Sequence, residues 1–378
     1  MAKIRYPSKI IPPVYQTVFD RTRLLDILTE YKHRPLVWVH GSPGAGKTTL
    51  ISSWLQQQKA PFLWYRMDKG INVCADLFYF LSLSAERNYP HKQFKLPVFT
   101  AEYADDIKVF AVVFFRQLFA ALKNEAAIVL DNCQEIESDP EFFQVLQIAL
   151  DNIPEGLQIV CLSRNQPAPF LSRLSLAGDM LQLNPALLRF TDAESSEFLA
   201  WLNPDVDKKT STLLQSKAKG WAIALVLLSQ KNPNNIQEQM PAAYEQQQVF
   251  GFLMTEILAN LDKEALQFLA ETAIFNQFTV SMATALTGYQ NAQSFLNNLV
   301  DKNLLIDRTD EINPIYCYHP IFRDLLNNKN TTSLSHKQFN DLNQRAITIL
   351  LAVNKIDEAL PFYLQLQDWS GLKTVLIT

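Results

Sequence analysis

Gly41-Ser42-Pro43-Gly44-Ala45-Gly46-Lys47-Thr48-Thr49 fits G-x-x-x-x-G-K-[ST], the phosphate-binding loop, and this stretch decides the fold. Three of the ten glycines in the chain fall inside it. Glycine lets successive backbone N–H groups turn inward and close on an anion. In such a loop Lys47 reaches the β- and γ-phosphates of a nucleotide, and the Thr48 hydroxyl takes a place on Mg²⁺. The flanks agree. Leu36-Val37-Trp38-Val39 reads as a buried strand, and residues 48–57 read as a helix whose N-terminus faces the phosphates. The candidate nucleotide-binding residues here are Gly41, Pro43, Gly44, Ala45, Gly46, Lys47, Thr48 and Thr49.

Outward from the loop, apolar runs alternate with helical spacing. Residues up to Pro13 read as an extended arm, and residues 21–31 as a helix. Phe62-Leu63-Trp64-Tyr65-Arg66-Met67, Ala126-Ala127-Ile128-Val129-Leu130 and Leu157-Gln158-Ile159-Val160-Cys161-Leu162 read as three further strands. Residues 75–84, 104–123 and 142–150 read as the intervening helices. Strands alternating with helices predict a parallel sheet covered on both faces. Ligands of such sheets bind outside the carboxyl ends of the strands, where Asp68, Asp131 and Arg164 fall.

From Thr191 the pattern is helical only. Thr191-Asp192-Ala193-Glu194 has the form of a capping box, and residues 211–229 give one or two helices around Gly220. Residues 231–239 are polar and Asn-rich, a linker signal. Helices over 250–261 and 262–273, a helical pair over 280–286 and 292–301, and strands over 304–307 and 315–318 follow in the order of a winged helix. Residues 328–335 read as a polar joint before a helical pair over 336–353 and 355–367. A further helix begins at Trp369 close to the last residue, so a piece of a longer protein is expected. The expected fold class is an α/β P-loop NTPase domain with a parallel sheet, followed by an all-α segment, a winged-helix domain and the start of a helical-repeat arm. The expected divisions are 1–175, 176–235, 240–328 and 336–378.

The chemistry gathers at the strand ends. Asp131 closes an apolar run downstream of the P-loop, the form of a Walker B acid that holds Mg²⁺. Asn132 stands where many hydrolysing relatives carry a second acid, and an amide cannot accept a proton. Glu135 and Asp68 are weaker alternatives as a base. Arg164, at the end of the fourth strand, suits a γ-phosphate contact because its fork binds two oxygens and stays charged. Lys47, Asp131 and Arg164 are the candidate catalytic set, with Thr48 and Asp131 on the metal. The helix over 292–301 lacks arginine, whereas a DNA recognition helix needs Arg or Lys, so it reads as protein packing.

Composition narrows the class. The 378 residues suggest two to four domains, and 48% apolar with 19% charged residues is ordinary for a globular chain. A net charge of −4 leaves no global basic footprint for nucleic acid. Cys74, Cys133, Cys161 and Cys317 show no metal spacing and read as reduced core residues. Neither a signal peptide nor a long apolar run is present, so a soluble cytoplasmic protein without membrane contact is expected.

Several ordered blocks together resemble the STAND-class ATPases of the MalT type, large ATP-dependent transcription activators. Val18-Phe19-Asp20-Arg21-Thr22-Arg23-Leu24-Leu25 resembles the segment that wraps the adenine. Trp64-Tyr65-Arg66-Met67-Asp68, Leu130-Asp131-Asn132 and Leu162-Ser163-Arg164 are similar to the family's strand ends. Leu188-Arg189-Phe190-Thr191-Asp192-Ala193-Glu194 and Gly220-Trp221-Ala222 resemble lid elements, with Ala222 where many relatives have proline. Tyr318-His319-Pro320-Ile321-Phe322 resembles the winged-helix signature. The resemblance implies an ATP/ADP switch with Mg²⁺. ADP would hold a closed monomer, and ATP with a small-molecule or protein inducer would open it and let it self-associate. It implies that Val18 and Phe19 contact the adenine, with Arg21 assisting, and that His319 touches the ADP β-phosphate. DNA would be reached only through an effector domain absent from this chain. Asn132 implies slow ATP hydrolysis at most. Two other readings stand: a hydrolysing ATPase that remodels a partner or nucleic acid, and a switch with a defence or signalling effector.

Overall fold

The computed structural model describes residues 6–13, 15, 17–59, 61–68, 73–89, 95–103, 106–122, 126–136, 139–229, 261–302, 304–309 and 312–377. They form two compact units, Met1–Phe190 and Thr191–Thr378.

The first unit is built on a five-stranded sheet: β1 (Leu36–His40), β2 (Phe62–Arg66), β3 (Ala127–Asp131), β4 (Gln158–Ser163) and β5 (Met180–Leu183). The order is β2-β3-β4-β1-β5, and every pairing is parallel. The period-2 alternation of the strands divides the core in two. Leu36, Trp38, Leu63, Tyr65, Ile128, Leu130, Ile159 and Cys161 face one cluster, shared with helices α3 (Val73–Asn88), α4 (Ile107–Ala121) and α5 (Pro140–Asn152). Val37, Val39, Trp64, Val129, Val160 and Leu162 face the other, shared with α1 (Thr22–Glu30) and α2 (Lys47–Gln58). Burial on both faces is why these strands are continuous apolar runs.

The α3–α4 side is anchored by aromatic packing. The Phe78 ring lies 4.8 Å from both Phe110 and Phe114, and all three are buried. The helices start where capping chemistry allows. Asp139 accepts from the Glu141 and Phe142 amides with Pro140 in the first turn, and Asp106 accepts from the Val109 amide. The polypeptide then adds a short α6 (Ser172–Ala177), β5 beside β1, and the four-residue α7 (Pro185–Leu188). Neither β5 nor α7 was expected from the sequence.

The arm before Pro13 departs from the extended reading. Ser8–Ile10 form a 3-10 turn packed against β2 and α3, with Ile10 fully buried. Lys9 pairs with Asp68 at 2.6 Å, and the Pro13 carbonyl accepts from the Ser52 hydroxyl. One apolar side chain and these contacts suffice to hold the arm down.

The second unit opens with α8 (Asp192–Leu202), whose capping box closes through Thr191 and Glu194 as expected. It packs with α9 (Lys208–Ala218) and α10 (Ala222–Ser229). The expected linker at 231–239 and all but the last residue of the expected helix over 250–261 lie outside the described residues. Next come α11 (Lys263–Thr272), α12 (Val280–Thr287), α13 (Ala292–Asp301) and the antiparallel pair β6 (Ile306–Arg308) and β7 (Tyr316–Tyr318). Phe278 bridges to Tyr316 in both directions and completes the wing.

The polar joint expected at 328–335 is instead mostly helix. Helix α14 runs Pro320–Ser333, and the Asn330 amide donates to the Ala270 carbonyl. A tertiary contact outweighs the weak helix propensity of the Asn and Thr residues. Helices α15 (His336–Ala352), α16 (Ile356–Leu366) and α17 (Trp369–Ile377) then pack each on the next. Among the described residues no helix is long and apolar enough to cross a membrane.

Candidate functional site

The site lies at the carboxyl end of the first unit's sheet. β1 sits between β4 and β5, so the chain leaving it at His40 emerges in a crevice with neighbours on both sides. The loop that follows needs left-handed backbone at two places. Gly44 has φ 71° and Gly46 φ 85°, a region an L side chain enters only with strain. Gly46 is the residue before α2, so the loop leads straight into a helix start whose first amides have no intrahelical acceptor.

Lys47 folds back on the loop. Its Nζ donates to the Gly41 carbonyl at 2.7 Å and the Ser42 carbonyl at 3.0 Å. Burial, then the nearby Arg164 charge, lowers its pKa to about 8, with Asp131 opposing. The Thr48 hydroxyl lies 3.3 Å from Oδ1 of Asp131 and 3.5 Å from Oδ2. Asp131 is itself buried, and that burial raises its pKa against the opposing Asn132 amide, Thr48, Lys47 and Arg66. The fold therefore brings Lys47, Thr48, Asp131 and Arg164 together. Two cations beside an amide-lined loop, and a hydroxyl beside a carboxylate, are the donor set that a polyphosphate and a hard divalent cation require.

Asn132 has a backbone reason for being an amide. Its φ is 65°, and asparagine is among the few residues that tolerate this conformation. The two substitute acids are placed differently. Asp68 is committed to the Lys9 ion pair, while Glu135 ends a 3-10 turn and accepts from the Gln134 amide at 3.4 Å.

The residues proposed for the adenine end sit elsewhere in the same unit. Val18 and Phe19 are half-buried, and the Phe19 ring stacks on Phe190 at 6.1 Å. Arg21 is buried, and its fork is turned to the Leu188 and Arg189 carbonyls. His319 belongs to the second unit. It is buried, its Nε2 lies 3.0 Å from the Ala218 carbonyl, and its ring meets Trp221 edge-on at 5.4 Å.

Three residues of the site were not anticipated. His40 ends β1, is buried, and its Nε2 lies 2.9 Å from the Gln182 amide of β5. Burial, then Lys47, lowers its pKa to about 4, so it is neutral at ordinary pH. A titratable residue directly before a P-loop was the available signal. Gln134 accepts from the Arg164 backbone amide at 3.2 Å and so ties the turn after β3 to the end of β4. Arg66 pairs in register with Asp131 across β2 and β3.

The chain is similar to known proteins along nearly its whole length. The model of the MalT winged helix domain matches residues 254–337, and that of Nephrocystin 3, N-terminal, matches residues 14–164. The HTH-type transcriptional regulator MalT of Cronobacter sakazakii is 26% identical over 380 residues, which is 98% of this chain and 42% of that protein. The chain thus spans less than half the length of that relative. Among solved structures, a STAND protein with a tetratricopeptide repeat sensor from Pyrococcus horikoshii covers 97% of this chain and 50% of its own, at a TM-score of 0.41 and 16% identity. The Aeropyrum pernix Orc1 protein in complex with DNA covers 82% of this chain and 92% of its own, at 0.35 and 12%. The match along nearly the whole chain and the winged-helix match bear out the resemblance drawn from the motifs.

Proposed function

We propose that this chain, a MalT-type STAND ATPase core, is a nucleotide-operated switch in a transcription regulator, with exchange of ADP for ATP rather than turnover as its signal. The observation that carries this reading is the joint placement of Lys47, Thr48, Asp131 and Arg164 around a left-handed glycine loop. In the proposal the loop amides with Gly41, Pro43, Gly44, Ala45, Gly46 and Thr49 hold phosphates beside Lys47. Thr48 and Asp131 hold Mg²⁺. Val18 and Phe19 border the adenine with Arg21 assisting, and His319 meets the ADP β-phosphate. The bound nucleotide would bring its negative charge to Lys47 and Arg164. Asn132, which cannot take a proton from water, supports slow hydrolysis at most.

Differential affinity of two conformers for ADP and ATP is what would make this a switch. The closed form is proposed to be an ADP-bound monomer in the cytoplasm, opened by ATP and an inducer and then self-associating. DNA would be engaged by a part of the regulator outside this chain. The four-part division into nucleotide-binding domain, lid, winged helix and helical arm goes with this proposal.

The test is the nucleotide content of the purified chain, read by absorbance and chromatography of the denatured supernatant. ADP near one per chain is expected. A folded, nucleotide-free protein would count against the closed switch. A steady turnover near the median enzyme rate of about 10 s⁻¹ without a partner would favour a hydrolysing engine.

A further inference from the structure

We propose that Arg21 and Arg23 are positioning residues, which couple occupancy of the P-loop to the segment Pro185–Phe190 that leads into the second unit. The proposal rests on the nucleotide-binding reading above and makes the assistance of Arg21 indirect.

The four-residue helix α7 cannot satisfy its own last carbonyls. Two guanidinium groups do so. Arg21 donates to the Leu188 carbonyl at 2.7 Å and to the Arg189 carbonyl at 3.1 Å. Arg23 donates to the Leu187 carbonyl at 3.0 Å and to the Arg189 carbonyl at 3.2 Å. Positive charge at the carboxyl end of a helix is also favoured by its dipole. The Arg21 guanidinium carbon lies 3.9 Å from the centre of the Phe190 ring, and Phe190 stacks in turn on Phe19. Thr191, the next residue, caps α8. The carbonyls that end the first unit are therefore clasped from the chain at the start of α1.

The other side of α7 touches the P-loop. A methyl group placed on Gly41 would come within 3.2 Å of Leu188 Cδ1, so α7 lies close beside the first loop residue and leaves little room for a side chain there. The carbonyl of Gly41 is the same one that accepts from Lys47 at 2.7 Å, and its amide donates to the Ser163 carbonyl. An anion that recruits the Lys47 ammonium draws it off the Gly41 and Ser42 carbonyls. Gly41 then loses the hydrogen bond to its carbonyl while Leu188 lies beside it. The contacts run without a gap from Lys47 through Gly41 and Leu188 to Arg21, Arg23 and Phe190. Arginine suits the clasp because one planar fork spans two carbonyls, which an ammonium does as a single point.

Hydrogen exchange of the whole chain with and without ADP and Mg²⁺ tests this. In the wild type, ADP is expected to change exchange at the P-loop amides and also at Leu188 and Arg189, whose amides donate to Asn184 and Pro185. In Arg21→Ala the P-loop response should persist at saturating ADP, while the response at 188–189 is lost. ADP should bind about tenfold more weakly, inside the roughly 5–150-fold range of site couplings. Arg21→Lys should behave like Arg21→Ala, where a role for charge alone would be rescued. If Arg21→Ala does not fold, Arg23→Ala decides by the same readout, because its contacts are more exposed. An unchanged response at 188–189 in the folded variant overturns the coupling. A wild type that responds at the P-loop and not at 188–189 overturns the coupling alone. A wild type that responds nowhere removes the nucleotide reading with it.

Discussion

The carboxyl end of the first sheet and the wing of the second unit treat buried polar groups in opposite ways. At the sheet end, charge is stored at a cost. Lys47 is held near a pKa of 8 and rests on two loop carbonyls, and Asp131 is pushed up by burial. In the wing, polar groups answer one another. The buried Tyr316 hydroxyl donates to Asn297 and accepts from Gln293, and the Tyr318 and Thr272 hydroxyls lie 2.8 Å apart. Charge held against its burial is what the proposed ligand site predicts, whereas a closed hydrogen-bond set marks structure.

The largest effect that could break this contrast is at Lys47. Lys47→Ala should weaken ADP binding by about 100-fold or more, as loss of a charge-assisted phosphate contact implies, with little change in the thermal midpoint. Calorimetric titration checks it. Retained affinity would take the sheet end out of the ligand-binding class.

The pH dependence sharpens the same point. With its pKa near 8, Lys47 in the ligand-free protein is largely neutral above that value, while a bound diphosphate favours the ammonium. Binding above pH 8 must then take up a proton. ADP affinity should fall by up to about tenfold per pH unit there, and buffers of different ionisation enthalpy should reveal the uptake. Stability of the ligand-free protein moves the other way. Between about 8 and the ordinary lysine value of 10.5 the unfolded chain holds the extra proton, so unfolding becomes less favourable as pH rises. A flat affinity profile across pH 7–9 would show that the lysine is not the group that meets the anion.

A smaller effect is expected for the metal pair. The Mg²⁺ enhancement of nucleotide binding, about tenfold or less, should vanish in Asp131→Asn, because the amide replaces the anionic partner of Thr48. Titrations with and without Mg²⁺ would coincide for the variant. An enhancement equal to that of the wild type would place the metal elsewhere.

How far each region could be read from sequence follows from the same difference. Strands β1–β4 were legible because burial on both faces makes them near-unbroken apolar runs ended by polar residues. The edge strand β5 was not: Met180-Leu181-Gln182-Leu183 is short and lacks β-branched residues. Asn184 and Pro185 were start signals for α7, but four residues are too few for a helical period. Residues 328–335 read as a joint because Asn and Thr are poor helix formers, and the Asn330–Ala270 contact that overrides them up to Ser333 is long-range. The P-loop, Asp131 and Arg164 were visible by residue type and spacing. The clasp on α7 was invisible, since Arg21 and Arg23 bind backbone carbonyls, which leave no mark on the residues that carry them.

The smallest expected effect tests the wing. Helix α13 occupies the place of a recognition helix, and its Asn297 side chain accepts from both Tyr316 and Arg308 at 3.0 Å. An amide engaged by two neighbours of its own domain is not presented to a base edge. Asn297→Ala should lower stability by about 1–2 kcal/mol, because the buried Tyr316 hydroxyl loses its acceptor while Gln293 only donates to it. The urea midpoint would register this, while ADP affinity and any residual affinity for duplex DNA at low salt should stay unchanged. A loss of DNA binding beyond about tenfold would mean that α13 reads bases, since a good base contact is worth about 1–3 kcal/mol. The wing would then belong with the sheet end, as a surface built for a ligand.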